Sequence, residues 1–302
     1  MYDIIIVGAG PAGLSAAIYG VRAGKTVLLL ERTTYGGQII KTLEIENYPG
    51  IKNISGFEFA TNLYEQATSL GAEVVYDNVT SIEDKEEYKL VKTDNNKYQA
   101  KAVILATGAK NRPLGVEGED ALIGSGISYC ATCDGAFFRG KDVAIVGGGN
   151  TALEDAMFLA EYCNKVYLIH RRDSFRGEEA LSERLKAKPN IEFVLDSVVT
   201  SLEGKFALEG VKVKNKKTDE ETDIKVAGLF VAIGQMPENQ GFADIVDLDE
   251  KGYISAGETC TTKTKGIFTA GDCRTKNIRQ LATAASDGAI AALAAVEYVN
   301  SL

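Results

Sequence analysis

The chain has 302 residues, of which 45% are hydrophobic and 25% are charged. This length exceeds that of a typical single domain, and the composition excludes a disordered chain and favours two separate cores. With 33 basic and 42 acidic residues the net charge is −9, which repels a phosphate backbone and argues against nucleic acid as a partner.

The N-terminal segment MYDIIIVGAGPAG lacks the basic region and the cleavage site of a secretory signal. The apolar runs of the sequence are all shorter than the roughly 20 residues that span a bilayer, so no membrane partner is expected. We therefore expect a soluble cytoplasmic protein. The five cysteines cannot all pair, and a CxxC motif in this setting indicates metal or redox chemistry.

The β-branched run Tyr2–Val7 predicts a strand buried on both faces, and a helical pattern from Leu14 to about Arg22 follows it. A second predicted strand, Thr26–Leu30, ends at Glu31. The turn between the first strand and the helix is of the GxGxxG type, with Gly8, Gly10, Pro11, Ala12 and Gly13. This order of elements is typical of a dinucleotide-binding domain, whose pyrophosphate lies at the helix N-terminus.

The acidic residue that ends the second strand supports this interpretation. Glu31 lies 23 positions after Gly8, where a carboxylate can accept hydrogen bonds from both hydroxyls of an unphosphorylated ribose. The alternative is a glycine-rich turn without a ligand. We regard it as the weaker interpretation because strand, turn, helix, strand and acid all occur in order.

The same pattern recurs in the middle of the chain. Asp142–Val146 predicts a strand, a helix continues to about Glu161, and Val166–Ile169 predicts the next strand. The candidate nucleotide-binding residues of this second turn are Gly147, Gly149, Asn150, Thr151 and Ala152. Ala152 replaces the third glycine, a position that needs only a small side chain.

Cations replace the acid in this second copy. The spacing that leads from Gly8 to Glu31 leads here to His170, which is followed by Arg171, Arg172 and Arg176. Guanidinium groups can bind a 2′-phosphate through bidentate, charge-assisted hydrogen bonds, so this site is expected to prefer NADPH over NADH. The alternative is a solvated basic strand end. A lone histidine in a basic run is a poor metal ligand.

Three further strands complete the expected architecture, at Ala102–Leu105, Leu229–Ala232 and Ile267–Ala270. We predict an α/β fold of two Rossmann-like dinucleotide-binding domains, one inserted within the other. The first domain is expected at 1–112 and 242–302 and the second at 113–241. Segments that contain proline and glycine, Asn111–Gly115 and Gln235–Gly241, mark the two crossings.

The CxxC motif consists of Cys130 and Cys133, followed directly by Asp134. Zinc requires four ligands, and the chain has neither a second CxxC nor a nearby histidine, so no metal is expected. A disulfide that closes so short a loop constrains the unfolded chain little, which makes a structural role weak. A thioredoxin-type fold is excluded because its CxxC is flanked by tryptophan, and this chain has none. A reversible dithiol is the remaining interpretation.

If the CATC segment begins a helix, the helix dipole lowers the pKa of the Cys130 thiol and makes it the nucleophile toward an external disulfide. Asp134 is the candidate proton donor, because reduction of a disulfide consumes protons. The alternative for Asp134 is an ordinary acidic residue in a helix turn. The other cysteines, Cys163, Cys260 and Cys273, are interpreted as small buried apolar residues.

In its order of motifs the chain resembles the low-molecular-weight thioredoxin reductases along essentially its whole length. The resembling segments are GAGPAG (8–13), GGQ (36–38), ENYPG (46–50), ATG (106–108), CATCDG (130–135), GGGNTALEDA (147–156), HRRDSFR (170–176), GD (271–272) and RQLATAASDG (279–288). The resemblance implies FAD in the first site, NADPH in the second, thioredoxin as substrate and a homodimer.

The resemblance also implies roles for individual residues. Cys133 faces the flavin, and Asp272 binds its ribityl chain. The further residues that the resemblance places at the cofactor are Gly37, Gln38, Asn47, Thr107, Gly108, Gly271, Arg279, Gln280, Thr283 and Ala284. The last of these segments is also expected to be an alanine-rich packing helix. Cys273 stands where the family often has valine, and we assign it no redox role.

The CxxC motif precedes the second nucleotide-binding strand by a few residues, so it belongs to the NADPH domain. We expect this domain to rotate about the two crossings, so that nicotinamide and cysteines alternate at the flavin. Three alternatives remain. One is a reductase of a peroxiredoxin-linked carrier, whose relatives have an extra N-terminal region. Another is a ferredoxin–NADP reductase, a class without the CxxC pair, and the third is a redox sensor that does not turn over.

Overall fold

The computed structural model describes residues 1–42 and 44–302. They form two compact units, one composed of Met1–Lys110 and Met236–Leu302 and the other of Asn111–Gln235. The insertion of one α/β unit into another, which the sequence predicts, is thus present. The second crossing lies nearer the N-terminus than the predicted boundary after residue 241.

The early return to the first unit has a physical cause in the residues that follow the crossing. Asn239 is completely buried, accepts a hydrogen bond of 2.8 Å from the Thr107 hydroxyl and donates one of 2.9 Å to the Cys273 carbonyl. Phe242 is buried among apolar residues of the same unit, including Ile245. These contacts attach the segment to the first unit.

The first unit contains most of its elements before the insertion. They are strand β1 (Tyr2–Val7), helix α1 (Pro11–Arg22), strand β2 (Val27–Glu31), helix α2 (Gly56–Ser69) and strands β3 (Glu73–Tyr76), β4 (Val79–Asp84), β5 (Lys89–Thr93), β6 (Lys97–Leu105) and β7 (Ala109–Asn111). Its sheet has the order β3-β2-β1-β6-β5-β4, and β1 pairs with β2 and β6 in parallel.

The second unit is built around a parallel sheet and a smaller antiparallel one. Its elements are α3 (Glu119–Leu122), β8 (Ile127–Ser128), α4 (Ala131–Asp134), β9 (Asp142–Gly147), α5 (Asn150–Ala160), β10 (Lys165–Ile169), α6 (Glu179–Lys186), β11 (Ile191–Val194), β12 (Ser197–Glu203), β13 (Gly210–Asn215), β14 (Glu221–Ile224) and β15 (Gly228–Ala232). The parallel sheet has the order β11-β10-β9-β15-β8, and the antiparallel sheet is β12-β13-β14.

The chain then returns to the first unit through a short strand that pairs with β7. The last elements are β16 (Gln235–Pro237), β17 (Ile267–Thr269) and α7 (Leu281–Asn300), and β17 pairs with β6 in parallel. Helix α7 packs through buried alanines, as predicted for this alanine-rich segment. Within the described part of the chain, no helix is both long and apolar enough to cross a membrane.

The predicted strand ends place the candidate ligand-binding turns. In β1 and β9 most residues are buried, because apolar clusters pack on both faces of each parallel sheet. Each of these strands runs directly into a glycine turn and a helix. The carboxyl ends of parallel strands lie at one edge of a sheet, so each turn lies at the edge where α/β sheets bind ligands.

Candidate active site

The two cysteines of the CxxC motif form a disulfide at the start of α4. Cys130 is the N-cap residue, and its sulfur accepts a hydrogen bond of 3.2 Å from the backbone N–H of Cys133. Their Cα atoms are 5.3 Å apart, and both side chains are partly exposed. The CATC segment therefore begins a helix, which is the condition for Cys130 to be the nucleophile. A backbone N–H directed at the Cys130 sulfur favours its thiolate once the disulfide opens.

The other three cysteines, Cys163, Cys260 and Cys273, are buried and unbridged, as expected for small apolar residues. Burial raises the pKa of Cys163 and of Cys260 to about 11, so both remain thiols at neutral pH. Among the described residues, His, Cys, Asp and Glu side chains form no group of three that could hold a metal ion.

Asp134 lies at the end of α4, and its carboxylate accepts a hydrogen bond from the Ser128 hydroxyl. The Ser128 oxygen in turn accepts a bond of 3.0 Å from the backbone N–H of Cys130. Burial raises the pKa of Asp134, and the Ser128 bond opposes this rise. The result is an acid that keeps its proton to a higher pH than an ordinary aspartate, close in sequence to the reactive sulfurs.

The first glycine turn brings the backbones of β1 and α1 into direct contact. Gly8 has a φ of +106°, and a Cβ there would overlap the carbonyl oxygen of Ala106. A Cβ at Gly13 would overlap the carbonyl oxygen of Gly8. At Gly10, in contrast, a Cβ would meet no atom of the described residues within 4 Å. The turn is thus closed toward the sheet and open beside Gly10, as a pyrophosphate site requires.

Glu31 is held against this turn by its own carboxylate. One oxygen accepts a hydrogen bond of 2.8 Å from the Ala9 N–H, and the other accepts one of 3.0 Å from the Thr33 N–H. Pro11 is the first residue of α1, where its missing N–H leaves no bond unmade. The structure therefore brings the predicted acid to the predicted turn.

Two neighbouring segments border the same turn. Gly37 and Gln38 begin a short 3-10 helix, and a Cβ at Gly37 would lie 3.3 Å from the Cα of Gly10. Thr107 and Gly108 follow β6, and Gly108 has a φ of +67°. These residues reach the turn by different routes along the chain, which supports the grouping implied by the family resemblance.

The Gly271-Asp272 turn is the last of the segments that border the candidate site in the first unit. A Cβ at Gly271 would lie 2.8 Å from the Cβ of Ala12 in α1, so the two turns are in contact. The Oδ1 atom of Asp272 is buried and has no hydrogen-bond partner among the described residues. Burial raises the pKa of Asp272, and the nearby Lys276 and Arg279 oppose the rise.

The start of α7 lies beside this turn. Gln280 and Thr283 form a capping box, and the Asn47 amide donates a bond of 3.3 Å to the Gln280 side chain. The Arg279 guanidinium lies 4.1 Å from the centre of the Tyr253 ring. Ala284 is buried in the first turn of the helix. Asn47, Arg279, Gln280, Thr283 and Ala284 come from the family motifs, whereas Tyr253 was not predicted.

The second glycine turn has the same plan and the same spacing, with alanine at the third position. A Cβ at Gly147 would overlap the Cβ of Ala152 and the carbonyl oxygen of Ala232. At Gly149, the N-cap residue of α5, a Cβ would meet no described atom within 4 Å. Asn150 accepts a bond of 2.8 Å from the Glu178 N–H, and Thr151 is exposed. This turn is also open beside its middle residues.

The predicted cations gather at this second turn. The His170 ring packs where a Cβ of Gly148 would be, and its Nε2 atom has no hydrogen-bond partner among the described residues. The backbone N–H of Arg176 donates a bond of 2.7 Å to the Gly148 carbonyl, while Arg171, Arg172 and Arg176 are exposed. Burial and the three arginines lower the pKa of His170, so the exposed guanidinium groups provide the positive charge.

Sequence reasoning missed three residues that organise these sites, namely Ser128, Asn239 and Asp287. Ser128 lies two residues before Cys130, which is the signal that could have found it. Asn239 is bonded to Thr107, which is far away in sequence, whereas Asp287 lies in the family segment 279–288 and accepts a bond from Gly271, 16 residues before it. Their importance depends on contacts that a single sequence does not show.

Comparison with known proteins decides the family. The sequence profile of the family described as pyridine nucleotide-disulphide oxidoreductase matches residues 2–289. The chain belongs to this family. Among its pyridine nucleotide-disulphide oxidoreductase relatives, the thioredoxin reductase of Bacillus subtilis (strain 168) is 41% identical over 303 residues, which cover 100% of this chain and 96% of that protein.

Two further relatives support the predicted resemblance to thioredoxin reductases, which is confirmed. The bifunctional thioredoxin reductase/thioredoxin of Mycobacterium leprae (strain TN) is 42% identical, over 99% of this chain and 66% of that protein. The crystal structure of thioredoxin reductase from Streptococcus pyogenes MGAS5005 is 42% identical and has a TM-score of 0.96, covering 100% of this chain and 99% of that one.

Proposed function

We propose that this chain is a thioredoxin reductase, which transfers electrons from NADPH through FAD and the Cys130–Cys133 pair to oxidised thioredoxin. The observation that carries the proposal is the Cys130–Cys133 disulfide, located in the same unit as the cationic dinucleotide turn. Relatives of full length that are named thioredoxin reductase support it. Thioredoxin reductases of this family use FAD and NADPH.

The first unit fits FAD. Gly10 leaves open space beside the N-terminus of α1, Glu31 offers a carboxylate at the ribose position, and the unpaired Oδ1 of Asp272 can accept a hydrogen bond from a ligand hydroxyl. The other residues proposed to line this site are Gly8, Pro11, Ala12, Gly13, Gly37, Gln38, Asn47, Thr107, Gly108, Gly271, Arg279, Gln280, Thr283 and Ala284. When bound, FAD would supply two-electron transfer from NADPH to the Cys130–Cys133 disulfide.

The second unit fits NADPH. Its turn is open beside Gly149, and exposed guanidinium groups stand where a ribose 2′-phosphate is expected. The residues proposed to bind the coenzyme are Gly147, Gly149, Asn150, Thr151, Ala152, His170, Arg171, Arg172 and Arg176. His170 is neutral near pH 7 because its pKa is lowered, so it contributes packing while the arginines contribute charge.

The thiol chemistry balances as two disulfide exchanges. The Cys130 thiolate attacks one sulfur of the thioredoxin disulfide, and the second thioredoxin sulfur leaves as a thiolate that takes a proton. Cys133 then attacks Cys130, which restores the Cys130–Cys133 disulfide and releases reduced thioredoxin. Asp134, whose pKa is raised by burial, is proposed to hold the proton that the leaving sulfur needs.

Three further features belong to this proposal. The second unit is proposed to rotate about the two crossings between electron uptake and electron delivery, and normal turnover in a verified cross-linked protein would contradict this. The protein is proposed to be a homodimer, which sedimentation equilibrium can test. A cytoplasmic location is proposed as well, which cell fractionation can test.

The test separates the two half-reactions. Cys130→Ser and Cys133→Ser should each reduce NADPH-dependent thioredoxin turnover by at least about 10³-fold, because a single sulfur cannot complete the exchange. Both variants should still bleach the flavin absorbance when NADPH is added under anaerobic conditions. The measurements are thioredoxin-coupled NADPH oxidation and the flavin spectrum.

Cys163→Ala is the matched control, since it removes a buried thiol from the same unit and should retain both half-reactions. Unchanged thioredoxin turnover in the Cys130→Ser or Cys133→Ser protein would refute the proposal. A wild-type protein that takes up no FAD would refute it as well.

A further inference from the structure

Helix α7 contains a buried carboxylate that the proposed chemistry does not use. Asp287 is 4% exposed and lies near the start of the helix. Its carboxylate accepts hydrogen bonds of 3.0 Å from the Gly271 N–H, 2.9 Å and 2.8 Å from Nε and Nη2 of Arg274, and 2.9 Å from Nζ of Lys276. A buried carboxylate with four donors is fully satisfied and held in one place.

All four donors belong to one short loop, which begins at the Gly271-Asp272 turn. Asp287 thus connects the first part of this loop to α7. Its pair with Arg274 is bidentate, which fixes the direction of the contact as well as its distance. Burial works against ionisation of Asp287, but the bonds from Arg274 and Lys276 outweigh it and hold its pKa below the usual value. The network is therefore charged at neutral pH.

The turn held in this way is packed against the dinucleotide helix. A Cβ at Gly288, the residue after Asp287, would overlap the carbonyl oxygen of Ala12 in α1. A Cβ at Gly271 would lie 2.8 Å from the Cβ of Ala12. The Ser15 hydroxyl also donates a bond of 2.7 Å to the Ala285 carbonyl. The start of α1, the Gly271-Asp272 turn and α7 are thus packed too closely to accept an added methyl group at Gly271 or Gly288.

The side chain of Asp272 contrasts with that of Asp287. Both are in the same loop–helix junction, yet the Oδ1 atom of Asp272 is buried and has no partner in the described part of the chain. An unpaired buried carboxylate oxygen is costly, and it persists only where the surrounding backbone fixes its position. The Gly271 N–H, one peptide unit away, is the group that Asp287 fixes.

We propose that Asp287 is a positioning residue of the flavin site, which fixes the Gly271-Asp272 turn so that the free carboxylate oxygen of Asp272 faces the bound cofactor. This inference rests on the proposed function, because it requires FAD in the first unit. A purely structural role is the competing explanation. Buried ion networks contribute little to stability compared with apolar packing, whereas they can fix one arrangement.

The test measures cofactor binding separately from folding. Asp287→Asn removes the charge that holds Arg274 and Lys276 while it keeps the size of the side chain. We expect the dissociation constant of FAD from the apoprotein, measured by flavin fluorescence, to rise at least about tenfold. The increase in melting temperature on addition of FAD should shrink accordingly, because that increase reports binding to the folded state.

Asp77→Asn is the matched control. Asp77 is 5% exposed, lies in the same unit and accepts bonds from Thr93, Asn95 and Asn96 in a turn. This control should lower the melting temperature of the apoprotein and leave FAD affinity unchanged. Arg274→Lys keeps the positive charge but loses the bidentate pair, so it should weaken FAD binding less than Asp287→Asn does. If the Asp287→Asn protein does not fold, the Arg274→Lys protein provides the test.

Two outcomes separate this inference from the proposed function. If the wild-type apoprotein binds FAD and the folded Asp287→Asn or Arg274→Lys protein binds it equally well, the role of Asp287 is refuted and the proposed function stands. Equal loss of melting temperature with and without FAD refutes it in the same way. If wild-type protein binds no FAD, the proposed function fails and the role of Asp287 fails with it.

Discussion

The two glycine turns of this protein have the same topology but differ at two points. In the first turn Gly13 packs directly on Gly8, and the strand after the helix ends in Glu31, bound to the Ala9 N–H. In the second turn Ala152 takes the place of the third glycine, and its methyl group occupies the space that a Cβ of Gly147 would need. The strand that follows ends at Ile169, and His170 comes directly after it.

This comparison explains how, in the proposed function, one fold accepts two ligands. The glycines determine how closely backbone approaches backbone, and both turns remain open beside the middle of the motif, at Gly10 and Gly149. The residues at the end of the following strand determine the charge offered to the ribose. In the proposed function, closeness of packing and choice of coenzyme are therefore encoded at different positions, and each can be altered separately.

The largest effect is expected where the first turn is most tightly packed. In Gly13→Ala the new methyl group overlaps the Gly8 carbonyl, which is backbone and cannot move aside. We expect the free energy of unfolding of the apoprotein to fall by about 3 kcal/mol, measured by urea denaturation. Bound FAD should be lost on purification.

The reciprocal change in the second turn is the control. Ala152→Gly places a glycine where the first turn has one, and it should cost about 1 kcal/mol, the usual difference between these residues in a helix. The Ala152→Gly protein should bind NADPH with the affinity of the wild-type protein. Equal destabilisation by the two changes would show that the third position is not packed differently in the two turns.

A smaller effect is expected from the charges that distinguish the turns. The combined change of Arg171, Arg172 and Arg176 to alanine removes the guanidinium groups available to a 2′-phosphate. We expect the KM for NADPH to rise about 10- to 100-fold, the range for hydrogen bonds to charged groups, while the KM for NADH is unchanged. Steady-state kinetics with both coenzymes at fixed thioredoxin measure this.

Lys205→Ala removes one exposed cation from the same unit and is the control for a general loss of charge. It should leave the ratio of kcat/KM values for NADPH and NADH as in the wild-type protein. If the triple arginine variant affects both coenzymes equally, the arginines do not recognise the 2′-phosphate.

Much of the fold could be predicted from sequence because its strongest signals are local. The run Tyr2–Val7 forms a strand with the predicted bounds, and the predicted strand Val166–Ile169 differs from the observed one by a single residue at its start. Hydrophobic runs flanked by glycine turns specify buried parallel strands, since both faces of such strands are covered. The local order of the motifs likewise predicts both glycine turns and the helices that follow them.

The remainder depends on contacts between distant residues. The return to the first unit is fixed by Asn239, whose partners Thr107 and Cys273 are remote in sequence. The predicted boundary after residue 241 followed the proline and glycine content of the segment instead. The roles of Ser128 and Asp287 also depend on tertiary hydrogen bonds, which a single sequence does not encode in any regular spacing.

The smallest effect is expected from a change at Ser128, next to the CATCDG segment. This segment belongs to the second unit and has no counterpart in the first. The Ser128 hydroxyl donates to Asp134, and this bond opposes the rise in the pKa of Asp134 that burial causes. In Ser128→Ala the pKa of Asp134 should therefore rise further. If Asp134 acts as the proton donor, activity falls as pH increases through its pKa, so this fall should move to higher pH in the variant.

The pH dependence of kcat/KM for thioredoxin measures this displacement, with Ser125→Ala, three residues upstream, as the control. The Ser128 oxygen also accepts a hydrogen bond from the Cys130 N–H, and Ser128→Ala removes this bond. The maximum rate should therefore fall only modestly, by about threefold to tenfold, which is the value of one neutral hydrogen bond. A displacement to lower pH would mean that Asp134 works in its charged form. The first unit would be unaffected in either case, so FAD affinity should equal that of the wild-type protein, which separates this residue from Asp287.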